Sequence, residues 1–219
     1  AESDYPMKMH PRRLIVGGLS SLTGVLLFIP SSGAAPEVLK ISHQFPANTE
    51  IRDQVARRFA QEVEKRTNGQ VKFQIFAGAS LYMATQQFDA LSSGSLDMAV
   101  YPLAYSGGKF PATNLTLMPA LIENYQQAYN REKAPIGKWL EDYLDQRGVK
   151  IITWIWQAGG VASRDKPILL PADVKGLKTR GAGKEIEMEL QAAGGSIATR
   201  TAPEPYNAMQ YGQADALQT

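Results

Sequence analysis

The sequence predicts an α/β fold with largely parallel strands. Segments with apolar residues at every second position alternate along the chain with segments whose apolar residues recur every three or four positions. The helix-like segments stop on glycines, at Gly69, Gly94 and Gly194. The 219 residues include no cysteine, so the fold must rest on an apolar core rather than on disulfides. Alternation of this kind places helices against a mostly parallel sheet.

Val38 to Ser42 reads as a short apolar strand. Pro46-Ala-Asn48-Thr49 then breaks the chain and supplies a cap. Ile51, Val55, Phe59 and Val63 follow at intervals of four, predicting an amphipathic helix with those side chains on its apolar face. Val71, Phe73 and Ile75 alternate with Lys72 and Gln74, as in a half-buried strand. Thr85 opens a helix carrying Phe88 and Leu91, and Leu96 to Tyr101 forms the next strand, closed by Pro102. Residues 124–146 are helical in composition, with Pro135 breaking or kinking the run. Val149 to Trp156 is the strongest strand signal in the chain. Lys178-Thr179-Arg180 is a short strand, Glu185 to Ala193 a helix, and Ser196 to Thr199 a strand. Thr201 opens a last helix, with Thr201-Ala-Pro-Glu204 in capping-box spacing.

The N-terminus carries a different pattern. Lys8, Arg12 and Arg13 precede a mostly apolar run from Leu14 to Ile29, and small residues follow at Ser31 to Ala35. That is the three-part pattern of a secretory signal over residues 1–35, which implies export and leaves 36–219 as the mature part. The formal charge of +2 is balanced, and no basic tract is interleaved with aromatics, so no nucleic-acid partner is expected. His43 is the only histidine after residue 35, and no metal-ligand spacing surrounds it. No cofactor motif is present. Gly181-Ala-Gly-Lys184 lacks the upstream glycine and following hydroxyl of a phosphate loop.

In α/β sheets of this kind, ligands bind beyond the carboxyl ends of the strands. That rule selects His43, Gln44 and Phe45 after the first strand, Phe76 after the second, and Tyr101 and Tyr105 after the third. It also selects Trp154, Trp156 and Gln157 at the fourth and Arg180 at the fifth. The set is aromatic and amide-rich around one strong cation, which suits a small organic anion. Arg180 is followed by Gly181-Ala-Gly183, residues too small to block it. Its guanidinium either grips a carboxylate through two parallel hydrogen bonds or lies in a solvated loop. Trp154 and Trp156 share strand parity and are either core or ligand platform. Glu204 either touches ligand or caps its helix, and lone His43 is either a structural hydrogen-bonder or a base.

Five motifs in order carry a resemblance: Leu39-Lys-Ile-Ser-His-Gln-Phe-Pro46; Gly69 to Leu81; Gly94-Ser-Leu-Asp-Met-Ala99; Lys166-Pro-Ile with Pro171 to Arg180; and Tyr206 to Asp215. With these the chain resembles the DctP-like solute-binding proteins of TRAP transporters. The resemblance implies a two-domain periplasmic-binding-protein (Venus-flytrap) fold. Domain I would span 36–157 and domain II 158–219, the latter incomplete because family members run on beyond this point. It implies a periplasmic, non-catalytic protein that captures a small organic acid, a carboxylate, and hands it to membrane permease subunits. The family arginine falls on Arg180. Gln157, Trp156, Trp154, Tyr101, Phe45 and Glu204 complete the expected ligand-binding set. Gln157-Ala-Gly-Gly160 stands where many members place a second arginine. The alternatives are an exported hydrolase or lyase using His43, and an anchored ligand-sensing domain. An incomplete second domain is further expected to expose an apolar strip along Ile186 and Leu190, and along Tyr206 and Met209.

Overall fold

The computed structural model describes residues 35–219. The signal pattern therefore lies outside the described residues, apart from Ala35.

Strand β1 (Glu37–His43) is the centre of the first sheet. It pairs in parallel with β2 (Val71–Phe76) on one side and β3 (Met98–Val100) on the other. Helix α1 (Ile51–Arg66) crosses between β1 and β2. Its N-cap is Glu50, whose carboxylate accepts from the Arg52 N–H, rather than the expected Asn48-Thr49. Its buried face is also not the expected one. Asp53, Ala56 and Ala60 are buried, whereas Ile51 and Val55 are exposed. Alanines let the helix lie close to the sheet, and Asp53 turns inward because it has a partner there. Phe59 keeps part of the expected contact by meeting the Phe73 ring edge-on at 5.8 Å.

A 3₁₀ turn (Ala84–Gln86) leads into α2 (Gln87–Ser92), and β3 follows. Two further 3₁₀ segments, Leu103–Ser106 and Pro111–Leu117, leave the sheet at the carboxyl end of β3. Pro135 splits the next helical run into α3 (Tyr125–Lys133) and α4 (Pro135–Asp145). Asn124 caps α3 by accepting from the Gln127 N–H at 2.9 Å. Phe88, Leu103, Leu140, Leu144 and Val149 form the core on this side, with Tyr101, Phe110 and Trp154 packed around it.

Residues 150–160 correct the strongest strand expectation. They lie outside any helix or strand. A run of β-branched and aromatic residues becomes a strand only when a neighbour takes up its backbone groups. Here its side chains are held by α3 and α4 instead.

The second sheet has the order β4-β7-β5-β6. Strands β5 (Lys178–Gly181), β6 (Ser196–Ile197) and β7 (Ala216–Gln218) are mutually parallel where they pair, and β4 (Val161–Ser163) runs antiparallel to β7. Asp215 ties three of these strands together. Its carboxylate accepts from the Lys178 N–H at 2.8 Å and from Arg164 Nη2 at 3.1 Å, and its carbonyl accepts from the Arg164 N–H. Helix α5 (Lys184–Ala192) buries Ile186 and Leu190, each 4% exposed, against Val174. The expected exposed strip on α5 is therefore absent, because Leu117 and Ile197 also pack on that cluster. On α6 (Pro205–Gln210) Tyr206 is exposed and Met209 half-buried. That helix begins at Pro205, not Thr201, since proline at the first helical position needs no N–H partner. The α/β class with largely parallel strands thus holds.

Candidate functional site: a buried arginine between two sheets

Arg180 sits near the end of β5 and is 2% exposed. Thr179 and Gly181 on either side are buried too. A guanidinium this deep ordinarily requires a carboxylate, yet among the described residues none lies within ion-pair distance. Its Nε donates to the Arg200 carbonyl at 3.1 Å, and Nη2 reaches the Tyr105 hydroxyl at 3.5 Å. Burial lowers the Arg180 pKa from its usual value, and Tyr105, Glu187 and Glu204 offset part of that shift. Arginine stays charged at neutral pH all the same.

Tyr105 belongs to the first 3₁₀ segment beyond β3, so its contact with Arg180 joins the two sheets. Its oxygen also accepts from the Ala202 N–H at 2.8 Å and from Gln44 Nε2 at 3.3 Å. Two more contacts follow the same seam. Asn114 Nδ2 donates to Glu185 Oε1 at 2.8 Å. Gly183 lies against Ala104 and Leu117, where a Cβ would come within 3.2 Å of the Leu117 side chain. A larger residue there would push the segments apart.

The other expected residues fall in four places. Tyr101 is half-buried in the first core, its hydroxyl 2.7 Å from Ser106 Oγ and its ring edge-on to Tyr105 at 6.2 Å. Burial is the main reason its phenol is pushed up to about 12. Trp154 and Trp156 stack at 5.6 Å and donate their Nε1–H groups to Glu141 and Glu132, on α4 and α3. With Arg131, Gly137 and Leu140 they enclose a narrow cavity. Gln157 is exposed in the extended segment that follows. Phe45 is buried between the His43 ring at 5.9 Å and the Arg52 guanidinium at 3.7 Å. Glu204 accepts from the Thr201 N–H at 2.5 Å and the Thr201 hydroxyl at 2.6 Å. Burial raises the Glu204 pKa, but the Thr201 bonds and the charges of Arg200 and Arg180 bring it below the usual value. Glu204 also lines an open pocket of about 170 Å³ with Arg200, Asn207, Ala208 and Gln213.

His43 is wholly buried, with Nε2 3.1 Å from Asp53 Oδ1 but off the line of a hydrogen bond. Asp53 Oδ2 accepts from the Asn48 N–H at 2.7 Å and from Arg57 Nε at 2.8 Å. Burial lowers the His43 pKa, against the pull of Asp53. Burial pushes Asp53 upward, but Arg57 and the Asn48 N–H hold it below the usual carboxylate value. Among the described residues no group of three His, Asp or Glu side chains is placed to hold a metal, and no helix is long and apolar enough to cross a membrane.

Sequence reasoning missed the backbone partners, the Arg200 carbonyl and the Ala202 N–H, because any residue type supplies them. It also missed Asn114 and Glu185, whose pairing spans 71 positions.

Two α/β sheets meeting at a buried arginine with no ion-pair partner among the described residues have the architecture of the two-lobed solute-binding proteins. A family model described as bacterial extracellular solute-binding protein, family 7 (DctP) matches residues 41–219. The chain belongs to that family. It is 43% identical over 212 residues to a solute-binding protein of Albidiferax ferrireducens, covering 95% of this chain and 63% of that one. It is 28% identical to the C4-dicarboxylate-binding periplasmic protein DctP of Rhodobacter capsulatus, covering 94% and 62%. Among solved structures, a TRAP periplasmic solute-binding protein from Rhodoferax ferrireducens with bound malonate superposes with a TM-score of 0.80 at 48% identity. That match covers 83% of this chain and 58% of the other. One from Sulfurospirillum deleyianum with bound succinate gives 0.76 at 25% identity, covering 84% and 60%. The chain thus spans a little under two thirds of the length of these relatives. The family is one of solute-binding proteins rather than enzymes.

Proposed function

We propose that this chain is part of an extracytoplasmic solute-binding protein of a TRAP transporter. It captures a small organic acid between lobes 36–157 and 158–219 and delivers it to the membrane permease subunits. The reading includes export to the periplasm by the N-terminal signal. The observation that carries it is Arg180, a buried guanidinium at the seam of the two sheets with no carboxylate of its own among the described residues. A ligand acid group supplies the missing charge and takes a bidentate bond. The malonate and succinate bound by two relatives support that ligand class.

Tyr101, Trp154, Trp156 and Gln157 remain candidates for the wall that selects among acids. Phe45, Glu204, Tyr101, Trp154 and Trp156 already have partners, so a new polar contact from any of them needs a change of rotamer. No catalytic role is assigned to His43, whose ring is sealed from solvent and held beside Asp53.

The test is a thermal-shift screen of short mono- and dicarboxylates on the gene's full-length product. Acids that bind only the folded state raise the melting temperature. Arg180→Lys keeps the charge and loses the fork, so its shifts shrink. Equal shifts in wild type and Arg180→Ala sink the reading.

A further inference from the structure

We propose that Tyr105 is a positioning residue of this site, holding Arg180 aimed and docking the second sheet's loop onto the first. The inference rests on the reading of Arg180 as the acid anchor.

A guanidinium offers five N–H donors in a rigid fork. Arg180 is held at two of its nitrogens: Nε by the Arg200 carbonyl and Nη2 by the Tyr105 oxygen. Neither hold involves Nη1, so donors on Nη1 and a second N–H on Nη2 remain for a carboxylate to bridge with two parallel bonds. An unheld guanidinium would have to be ordered on binding, and pre-ordering raises affinity by removing that cost.

Tyr105 is fixed from both sides. Its ring meets Tyr101 edge-on, and Gln44 Nε2 at the end of β1 reaches its oxygen. From the second sheet, the Ala202 N–H donates to the same oxygen at 2.8 Å. A phenol oxygen has few lone pairs, and three donors converge on this one. The contact with Arg180, at 3.5 Å, is the longest of the three. It therefore aims the guanidinium without competing strongly with an acid for it. Phenylalanine at 105 keeps the ring contacts and removes the acceptor from Arg180, Ala202 and Gln44 together.

The experiment is calorimetric titration of the gene's full-length product with malonate and with succinate. The proteins are wild type, Tyr105→Phe, Arg180→Lys and the double variant. Tyr105→Phe is expected to weaken binding about three- to tenfold, the net value of one ordinary hydrogen bond. The ligand-free melting temperature is expected to fall, because the Ala202 N–H and Gln44 lose their acceptor as well. Because the two residues act on one fork, the double variant is expected to lose less than the product of the single losses. A role in packing alone predicts a full product. Unchanged affinity in Tyr105→Phe, with Arg180→Lys impaired, overturns the role of Tyr105 and leaves the anchor standing. Unchanged affinity in both overturns the anchor itself. If Tyr105→Phe does not fold, 3-fluorotyrosine at position 105 keeps ring and hydroxyl but makes the oxygen a poorer acceptor. Binding then weakens severalfold if Tyr105 holds Arg180, and unchanged or tighter binding overturns the proposal.

Discussion

His43 and Asp53 are sealed side by side, and both titrate below their usual values. For His43, burial disfavours the charged ring, so the unfolded chain binds a proton that the folded chain refuses. Its contribution is intact above about 6.5, the unfolded value, and falls as pH drops from there toward the lower folded value. Asp53 has the same sign at lower pH, since its contribution is lost as pH falls through its depressed folded pKa. The protein should therefore lose stability steadily on acidification from neutral, and His43→Asn should flatten the first part of that slope. Urea midpoints at several pH values between neutrality and pH 5 measure this, and a flat wild-type profile contradicts it. The sequence picks out Arg180 as a cation after a short strand followed by small residues, but not its burial, since the same pattern fits a solvated loop. The burial of Asp53 was not legible, because a charged residue in an amphipathic helix reads as solvent-facing until its partner across the sheet is known.

Among the elements, the 3₁₀ segments 103–106 and 111–117 carry the contacts between the two sheets. Gly107 shows how tightly they are folded. A Cβ there would lie 1.6 Å from Asn114 Oδ1, on top of the amide that holds Glu185. Asn114 is 3% exposed and has little room to turn away. Gly107→Ala should cost about 1–3 kcal/mol, the usual range for overpacking, and break the Asn114–Glu185 bond. Asn114→Ala added to it should then cost less than it does alone. Full additivity in denaturant unfolding contradicts this. Strand β2 was legible from its alternation, β1 as a short apolar run, and α4 and α5 from composition with their bounding proline and glycines. Residues 149–156 misled for the converse reason. Strand formation depends on a partner's backbone, which composition cannot report, and here Trp154 and Trp156 are bound to α4 and α3 instead. The seam itself has no periodic signature, being made of short turns, backbone groups and a pair 71 residues apart.

At the scale of the whole molecule, two small α/β sheets share one buried cation. The first sheet supplies Tyr105 and Gln44, and the second supplies Arg180, the Arg200 carbonyl and the Ala202 N–H. A ligand acid at this point would touch groups from both, so its binding would tie the lobes together. Removing one partner of a buried, hydrogen-bonded charge pair costs about 2–5 kcal/mol, equivalent to a loss of roughly thirtyfold or more in affinity. The most direct measurement is calorimetric titration of malonate into the gene's full-length product and its Arg180→Ala variant, with the unliganded melting curves compared as a folding control. The account predicts saturable binding by the wild type and a loss of at least about thirtyfold in the variant. Equal affinity in two equally folded proteins would contradict it.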